Sequence, residues 1–391
     1  MGLTCYVTEI LFARTTEEAL AMGWHHVDLN VASQGAPLAT SDPAGYTWSA
    51  DQTQHVVYRD AAFHIHELWF KGGLWNHADL HQEAGLGLLP VVGEPDGYAW
   101  DEVAPFAQHV VFRQAGGQQR IHELTFVNDQ WRHKDLMAAA GNVGDTAMSN
   151  PVCYVWDVDK TRHVIFRDGV GRVHELWNNG QWHHSNLTLA TQGGPAPVAV
   201  GDPFGYTWDV DKTQHVVYRG ADNHIHELFF KDWKWHHSNL TLATQGGPAP
   251  VAVGNPFGYT WDVDKTQHVV YRGADNHIHE LFFKDWKWHH SNLTLATQGG
   301  PAPVAVGDPF GYTWDVDKTQ HVVYRGADNH IHELFFKDWK WHHNDLTFSA
   351  GGAPLAAGDP AGYTWDVDQT QHVVYRGADN HIHELWFHYQ R

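Results

Sequence analysis

Cysteine and basic residues are both scarce in this chain. Only two cysteines occur among its 391 residues, Cys5 and Cys153. They lie far apart in unlike contexts, so they predict neither a disulfide framework nor the ligand spacing of a zinc site. Lysine and arginine total 25 against 45 acidic residues, which gives a formal charge of −20. This balance argues against a nucleic-acid backbone or an anionic membrane as a partner.

A recognisable targeting segment is also missing from the sequence. No basic region precedes the first apolar run, and Glu9 interrupts that run early. Neither a secretory signal nor a membrane-spanning segment is therefore predicted. The simplest expectation is a cytoplasmic protein without membrane insertion, and release by a non-classical route stays open.

Aromatic and histidine residues, in contrast, are abundant. Aromatics make up 13% of the chain, with 20 tryptophans, and there are 33 histidines. Packing a small core does not need so many tryptophans. The composition therefore favours a protein that recognises a ligand at its surface.

One unit repeats seven times, with successive His-Glu-Leu tripeptides 51 to 56 residues apart. Its glutamate is Glu67, Glu123, Glu175, Glu227, Glu280, Glu333 and Glu384. A preceding element contains a tyrosine at Tyr46, Tyr98, Tyr154, Tyr206, Tyr259, Tyr312 and Tyr363. The same element ends in a tryptophan at Trp48, Trp100, Trp156, Trp208, Trp261, Trp314 and Trp365. A His-Val-Val-Tyr-type run between the two elements ends in an arginine at Arg59, Arg113, Arg167, Arg219, Arg272, Arg325 and Arg376.

Each unit predicts four short β-strands. GYTWDV and QHVVYR are rich in β-branched and aromatic residues and are bounded by turn-forming residues. HIHELFF follows with alternating faces, and KWHHSNLTL is the fourth strand. The Gly- and Pro-rich stretch TQGGPAPVAVGDPFG reads as a long surface loop to the next unit. Only Thr15–Met22 has a trace of helical periodicity.

Both faces of such a sheet are partly apolar, so the units are expected to stack radially. The last copy ends after its third strand, and the missing fourth strand appears near the other terminus, at Trp24–Leu29. The sequence thus predicts an all-β, closed seven-bladed β-propeller with four antiparallel strands per blade. Residues 1–23 are an N-terminal extension, and residues 24–391 form one domain, with about residues 24–30 completing the last blade.

The repeated residues suggest carbohydrate binding, because sugars offer an apolar C–H face for an aromatic ring and hydroxyls for charged partners. The candidate residues, one set per blade, are the tyrosines, tryptophans, arginines and glutamates above outside blade two, together with Trp233, Trp286 and Trp339. The competing interpretation is structural. In it Glu227, His226, Arg219 and their equivalents form an inter-strand network of ion pairs and hydrogen bonds.

Metal and enzyme chemistry are less favoured by the sequence. His224 and His226 share one strand face, but arginine replaces the first of the pair at Arg120 and Arg172. The histidines are therefore interpreted as structural, and no metal or other cofactor is predicted. The Asp209-x-Asp211 turn lacks the rest of a calcium loop. Every candidate acid is repeated, whereas a catalytic pair would occur once, so no enzymatic activity is expected.

The combination of His-Val-Val-Tyr-Arg, Ile-His-Glu-Leu and Trp-x-His-x-Asp/Asn-Leu elements at this period resembles the Photorhabdus-type lectins. The likeness extends from about Trp24 to Phe387. It implies a seven-bladed propeller that binds L-fucose and related or O-methylated sugars at several pockets between blades. The chain departs from that pattern in residues 1–23 and in blade two, at residues 104–107 and 116–118.

The leading hypothesis is therefore a multivalent lectin whose partners are glycans or fucose-like monosaccharides. A propeller scaffold for protein interactions and a ligand-free, designed repeat protein are the alternatives. Homo-oligomerisation stays open.

Overall fold

The structure is a computed structural model that describes residues 23–101 and 106–388. The N-terminal extension up to residue 22, with the helix considered at Thr15–Met22, lies outside the described residues, as do Cys5 and the Ala104-Pro105 part of the blade-two insertion. The described chain forms seven sheets, each of four strands. Every strand pair is antiparallel, as predicted.

Each sheet is one blade, and its strands are numbered outward from the centre. The first strands of blades one to seven are β2 (Ala44–Trp48), β6 (Val91–Trp100), β10 (Val152–Trp156), β14 (Phe204–Trp208), β18 (Phe257–Trp261), β22 (Phe310–Trp314) and β26 (Ala361–Trp365). The second strands are β3 (Thr53–Arg59), β7 (Ala107–Gln114), β11 (Thr161–Arg167), β15 (Thr213–Arg219), β19 (Thr266–Arg272), β23 (Thr319–Arg325) and β27 (Thr370–Arg376). The third strands are β4 (Ile65–Lys71), β8 (Ile121–Val127), β12 (Val173–Asn178), β16 (Ile225–Lys231), β20 (Ile278–Lys284), β24 (Ile331–Lys337) and β28 (Ile382–His388).

The fourth strands lie at the rim. For blades one to six they are β5 (Leu74–Asp79), β9 (Gln130–Asp135), β13 (Trp182–Asn186), β17 (Lys234–Asn239), β21 (Lys287–Asn292) and β25 (Lys340–Asp345), and for blade seven β1 (Gly23–Asp28). A single helical turn follows each: α1 (Leu29–Ala32), α2 (Leu80–Glu83), α3 (Leu136–Ala139), α4 (Leu187–Ala190), α5 (Leu240–Ala243), α6 (Leu293–Ala296) and α7 (Leu346–Ser349). No helix among these residues is long and apolar enough to cross a membrane.

These helical turns correct the expectation that LTL continues the fourth strand. In blade four the side chain of Asn239 accepts a hydrogen bond from the backbone N–H of Leu242, which starts α5. Asparagine or aspartate occupies the same position in every blade. Such a cap satisfies one N–H that the first turn of a helix leaves free, and it competes with further strand pairing.

The hydrophobic core lies between blades rather than within one. Between blades four and five, Val217 and Ile225 of one sheet pack with Val269 and Leu281 of the next. Each of these side chains is fully buried. Burying one such residue contributes roughly 1.5–3 kcal/mol, and a single sheet has nothing to bury it against. The blades therefore depend on their neighbours.

The Gly-Tyr dipeptide of the first strand sets the spacing of the blades. A Cβ on Gly258 would lie 2.3 Å from the ring of Tyr206 in the preceding blade. Gly45 is in the same relation to Tyr363, so the contact also joins blade one to blade seven. Glycine is needed here because the neighbouring tyrosine ring occupies the space of a side chain.

The ring closes as the two chain ends predict. Strand β1 pairs with β28 in the register Trp24↔Phe387 and Val27↔Glu384. A ring of seven acidic or amide residues, one from each blade and each followed by a proline, surrounds one mouth of the central channel. These residues are Asp42, Glu94, Asn150, Asp202, Asn255, Asp308 and Asp359. The backbone N–H of Asp359 donates to Asp42 across the closing seam at 2.8 Å.

The ring has two faces that differ in their loops. The hairpin face carries the turns between first and second strands and between third and fourth strands, such as residues 209–212 and 232–233 of blade four. The connection face carries the turns between second and third strands, such as residues 220–224, and the loops to the next blade.

Candidate functional site

The structure does not gather the predicted tyrosine, tryptophan, arginine and glutamate into one surface pocket. In blade four Trp208 ends β14 at the hairpin face, where it pairs with Thr213, whereas Arg219 ends β15 at the connection face. Tyr206 and Glu227 lie between them inside the ring. The tyrosines, glutamates and first-strand tryptophans of the predicted set are all buried: Tyr46, Tyr154, Tyr206, Tyr259, Tyr312, Tyr363, Glu67, Glu175, Glu227, Glu280, Glu333, Glu384, Trp48, Trp156, Trp208, Trp261, Trp314 and Trp365.

The buried glutamate and tyrosine belong to a hydrogen-bond network. Nδ1 of His215 lies 2.8 Å from Oε1 of Glu227. The Tyr206 hydroxyl donates to Gln267 of the next blade at 2.9 Å. Burial, followed by the charge of Glu227, raises the pKa of Tyr206 well above its ordinary value, so the hydroxyl remains a donor. The glutamate pairs with the histidine of the second strand rather than with its neighbour His226.

The repeated arginine holds loops on the connection face. Nη1 of Arg219 donates to the side chain of Asn223 at 3.0 Å. In blade one, Nε of Arg59 donates to the carbonyl of Gly93, which belongs to the next blade, at 3.0 Å. Arg376 lies 3.3 Å from Asp42 across the closing seam. These contacts support the loops that connect neighbouring blades.

The predicted tryptophans do meet, at the seam between blades four and five on the hairpin face. The seam contains a cavity of about 290 Å³. Its lining is Trp208, Val210, Asp264, Lys265, Thr266, Phe283, Lys284, Asp285 and Trp286. One tryptophan therefore comes from the first strand of one blade, and the other from the outer hairpin of the next blade.

These two indoles form a corner. Their ring centroids are 6.4 Å apart with an interplanar angle of 62°, and Phe283 packs edge-on against Trp208 at 5.8 Å. Trp208 is 5% exposed, whereas Trp286 is 70% exposed. The corner recurs between blades five and six, where Trp261 and Trp339 are 6.2 Å apart at 65°.

A charged pair lies beside the corner. Nζ of Lys284 is 3.2 Å from Oδ2 of Asp264. The other oxygen of Asp264 accepts a hydrogen bond from Thr266, which contacts His268 at 2.6 Å. His268 in turn contacts Glu280 at 2.8 Å. The buried glutamate thus positions the pocket carboxylate from within, without lining the pocket itself.

Lysine is the residue type that sequence reasoning missed. Nζ of Lys231 lies 5.7 Å from the ring centroid of Trp286 across the seam, and Lys284 repeats this over Trp339 at 5.5 Å. The signal in the sequence was the Lys-Asp-Trp run at the end of the third strand in blades four to six, as in Lys231-Asp232-Trp233.

The exposed tryptophan occupies a strained backbone position. Lys284 pairs with Lys287, so Asp285 and Trp286 alone form the turn. Their φ angles are +50° and +61°. Such turns favour glycine or asparagine, and a bulky residue at positive φ costs roughly 1–2 kcal/mol. Blade one has Gly72-Gly73 in the corresponding turn. Three blades nevertheless retain a tryptophan there, at Trp233, Trp286 and Trp339.

Other seams differ. Between blades two and three the guanidinium of Arg162 lies 5.0 Å from the ring of Trp100 and 5.4 Å from that of Trp182. It also pairs with Glu123 at 3.1 Å. The chain thus fills this seam with its own cation. Between blades three and four, Trp156 and Trp233 both pack against Phe230, at 6.0 and 6.2 Å.

No protein-family model matches the sequence, and no curated protein matches it. Several solved structures have a similar fold. The BP39L lectin from Burkholderia pseudomallei superposes with a TM-score of 0.60 at 10% identity, covering 90% of this chain and 96% of that one. AofleA from Arthrobotrys oligospora gives 0.51 at 12%, covering 85% and 92%. An Aleuria aurantia lectin variant in complex with Fucα1-6GlcNAc gives 0.52 at 14%, covering 79% and 96%. These likenesses establish a β-propeller fold.

Proposed function

We propose that this chain is a multivalent lectin that binds L-fucose-like or O-methylated sugars in the indole corners between blades on the hairpin face. The observation that carries the proposal is the exposed tryptophan at positive φ. Strained backbone conformations are held in place by the surrounding structure, and they cluster at binding and active sites. Here the strained turn holds an exposed indole beside a buried one.

The corner suits a 6-deoxy sugar in each of its parts. An aromatic plane accepts the C–H face of a pyranose ring, so Trp286 is the platform. The apolar floor of Trp208 and Phe283 accommodates a methyl group, whether the C6 methyl of fucose or an O-methyl. Lys284 and Asp264 lie within the same cavity and supply a donor and acceptors for adjacent hydroxyls.

The proposal is binding without catalysis. Asp264 is held between Lys284 and Thr266, where its oxygens can accept hydrogen bonds from sugar hydroxyls. The other carboxylate of the cavity, Asp285, belongs to the exposed hairpin turn. The Aleuria aurantia lectin structures in complex with α-methyl-L-fucoside and Fucα1-6GlcNAc support the choice of sugar, because their fold is shared.

Several corners on one rigid ring provide multivalency. Two corners have matching geometry, and the seam between blades three and four offers a third pair of tryptophans. Linked sites of weak affinity gain on the order of 10²–10⁴ on a surface that displays many sugars. The expected target is therefore a densely fucosylated glycan.

Titration calorimetry with α-methyl-L-fucoside tests the proposal. We expect saturable binding at two or three sites per chain, and the loss of one site in Trp286→Gly and of another in Trp339→Gly. Leu295→Ser is the matched control, because Leu295 is an exposed apolar residue that follows the fourth strand of blade five at the connection face. No heat from any fucoside, or unchanged stoichiometry in both tryptophan variants, would contradict the proposal.

A further inference from the structure

A cluster of carboxylates and imidazoles lies on the connection face, away from the indole corners. In blade six, Nε2 of His332 is 3.1 Å from Oδ1 of Asp328. Nδ1 of His330 is 2.7 Å from Oδ2 of Asp345. Ligand atoms of Asp328, His332 and Asp345 all lie within 4.8 Å of one another. Three segments of the blade thus converge on one point: the turn after β23, the beginning of β24 and the end of β25.

The side chains are oriented by contacts outside the cluster. Nδ1 of the buried His332 faces Nε2 of His343 at 3.0 Å, which leaves the other ring nitrogen directed at Asp328. Oδ1 of Asp345 accepts the N–H of Phe348 as the cap of α7, which leaves Oδ2 for the cluster. Metal-binding histidines and carboxylates are usually held by such outer contacts.

Blade seven has an equivalent cluster, whose residues come from both β1 and the segment around the beginning of β28, the two strands that pair to close the ring. Asp28 comes from β1, whereas Asp379, His381 and His383 come from the turn before β28 and from its beginning. Nδ1 of His381 is 2.7 Å from Asp28, and Nε2 of His383 is 3.1 Å from Asp379. Ligand atoms of Asp28, Asp379 and His381 lie within 4.8 Å of one another.

Blade two shows what kind of group this position accepts. Arg120 stands where blade six has His330, and its guanidinium binds Asp135 through Nε at 2.5 Å and Nη2 at 3.1 Å. In blade two the permanently charged guanidinium of Arg120 therefore binds Asp135, the aspartate that ends the fourth strand. Blades four and five keep the turn aspartate and both histidines but have Asn239 and Asn292 in place of that aspartate.

We propose that blades six and seven each bind a divalent transition-metal ion, with Zn²⁺ as the probe, through two aspartates and two histidines. Imidazole and carboxylate ligands lie about 2.0–2.2 Å from Zn²⁺, so tetrahedral ligand atoms are about 3.3 Å apart. The paired atoms of the clusters are already near this spacing. In blade seven the ion joins β1 to β28, and so locks the ring. Blades four and five, with one fewer aspartate, bind more weakly.

Untagged protein equilibrated with ZnCl₂ by dialysis, followed by metal analysis, tests the proposal. We expect at least two tightly bound equivalents, and one fewer in each of His330→Arg and His381→Arg, which copy the arginine of blade two. His289→Gln is the matched control, because His289 packs on Phe282 away from any cluster. Its zinc content should equal that of the unaltered chain.

The locking role has its own readout. Zn²⁺ should raise the thermal midpoint of the unaltered chain, and His381→Arg should reduce this rise more than His330→Arg does. Should His381→Arg fail to fold, Asp28→Asn serves instead, because asparagine caps the same helical turn in blades three to five. It should weaken the blade-seven site at least tenfold. Zinc content unchanged in these variants, or no tight zinc at all, would overturn the proposal. Fucoside titration is independent of either result, because the indole corners lie on the other face.

Discussion

Replacing Trp286 with glycine should separate ligand binding from stability. The indole is 70% exposed, so the folded ring covers only about a third of it. About 75 Å² of covered surface at about 25 cal/mol per Å² corresponds to about 2 kcal/mol. Glycine relieves roughly 1–2 kcal/mol of strain at the positive φ. The two effects nearly cancel, so the free energy of unfolding should change by less than about 1.5 kcal/mol.

Binding should respond much more strongly than stability does. A sugar ring that covers about 80 Å² of the indole gains about 2 kcal/mol, which corresponds to a roughly 30-fold change in Kd. Titration calorimetry with α-methyl-L-fucoside measures this loss, and urea unfolding of the same sample measures the stability. Unchanged affinity at every site would mean that the Trp286 indole does not contact the sugar. Destabilisation above about 3 kcal/mol would mean that the indole is a packing element.

Three further predictions concern packing, pH and specificity. Gly258→Ala places a methyl group 2.3 Å from the Tyr206 ring. It should therefore lower the free energy of unfolding, measured in urea, by about 1–3 kcal/mol. Gly144→Ala is the control and should have little effect, because the space around its Cβ is open. Glu94 is exposed to the channel mouth, but the surrounding protein reduces its hydration, and this, followed by the repulsion of neighbouring carboxylates, raises its pKa from 4.5 to about 8. The folded state thus binds that proton more tightly than the unfolded chain does, so the stabilisation is complete below about pH 4.5 and is lost as the pH rises through about 8. The thermal midpoint should fall over this range, and Glu94→Gln should flatten the decline; an identical slope in both proteins would count against the assignment. L-galactose, which carries a hydroxymethyl group where L-fucose has a methyl group, should bind at least tenfold more weakly by calorimetry. Equal affinities would mean that no methyl group enters the corner.

The fold was predictable because the repeat is explicit. The spacing of the His-Glu-Leu tripeptides determines the number of blades, and Trp24–Leu29 supplies the strand that the last copy lacks. The helical turns were missed because one turn of LTLA has no periodicity. Only the capping role of Asn239 and its equivalents distinguishes it from a continuing strand.

The candidate site was only partly predictable. Trp208 and Arg219 recur in every repeat, so the sequence analysis grouped them. The antiparallel register, however, pairs Trp208 with Thr213, which is six residues before Arg219. At about 3.3 Å per residue, Trp208 and Arg219 lie about 20 Å apart, at opposite faces of the ring. The pairing of Trp208 with Trp286 depends on how one blade packs on the next, and a single repeat contains no signal for that.

A crystal structure of the protein soaked with α-methyl-L-fucoside would show whether the indole corners bind the sugar. We predict a sugar ring in the corner of Trp208 and Trp286 and another in the corner of Trp261 and Trp339, each with its apolar face on the exposed indole. Sugar bound elsewhere on the ring, or neither corner occupied in crystals whose hairpin face is open to solvent, would contradict it.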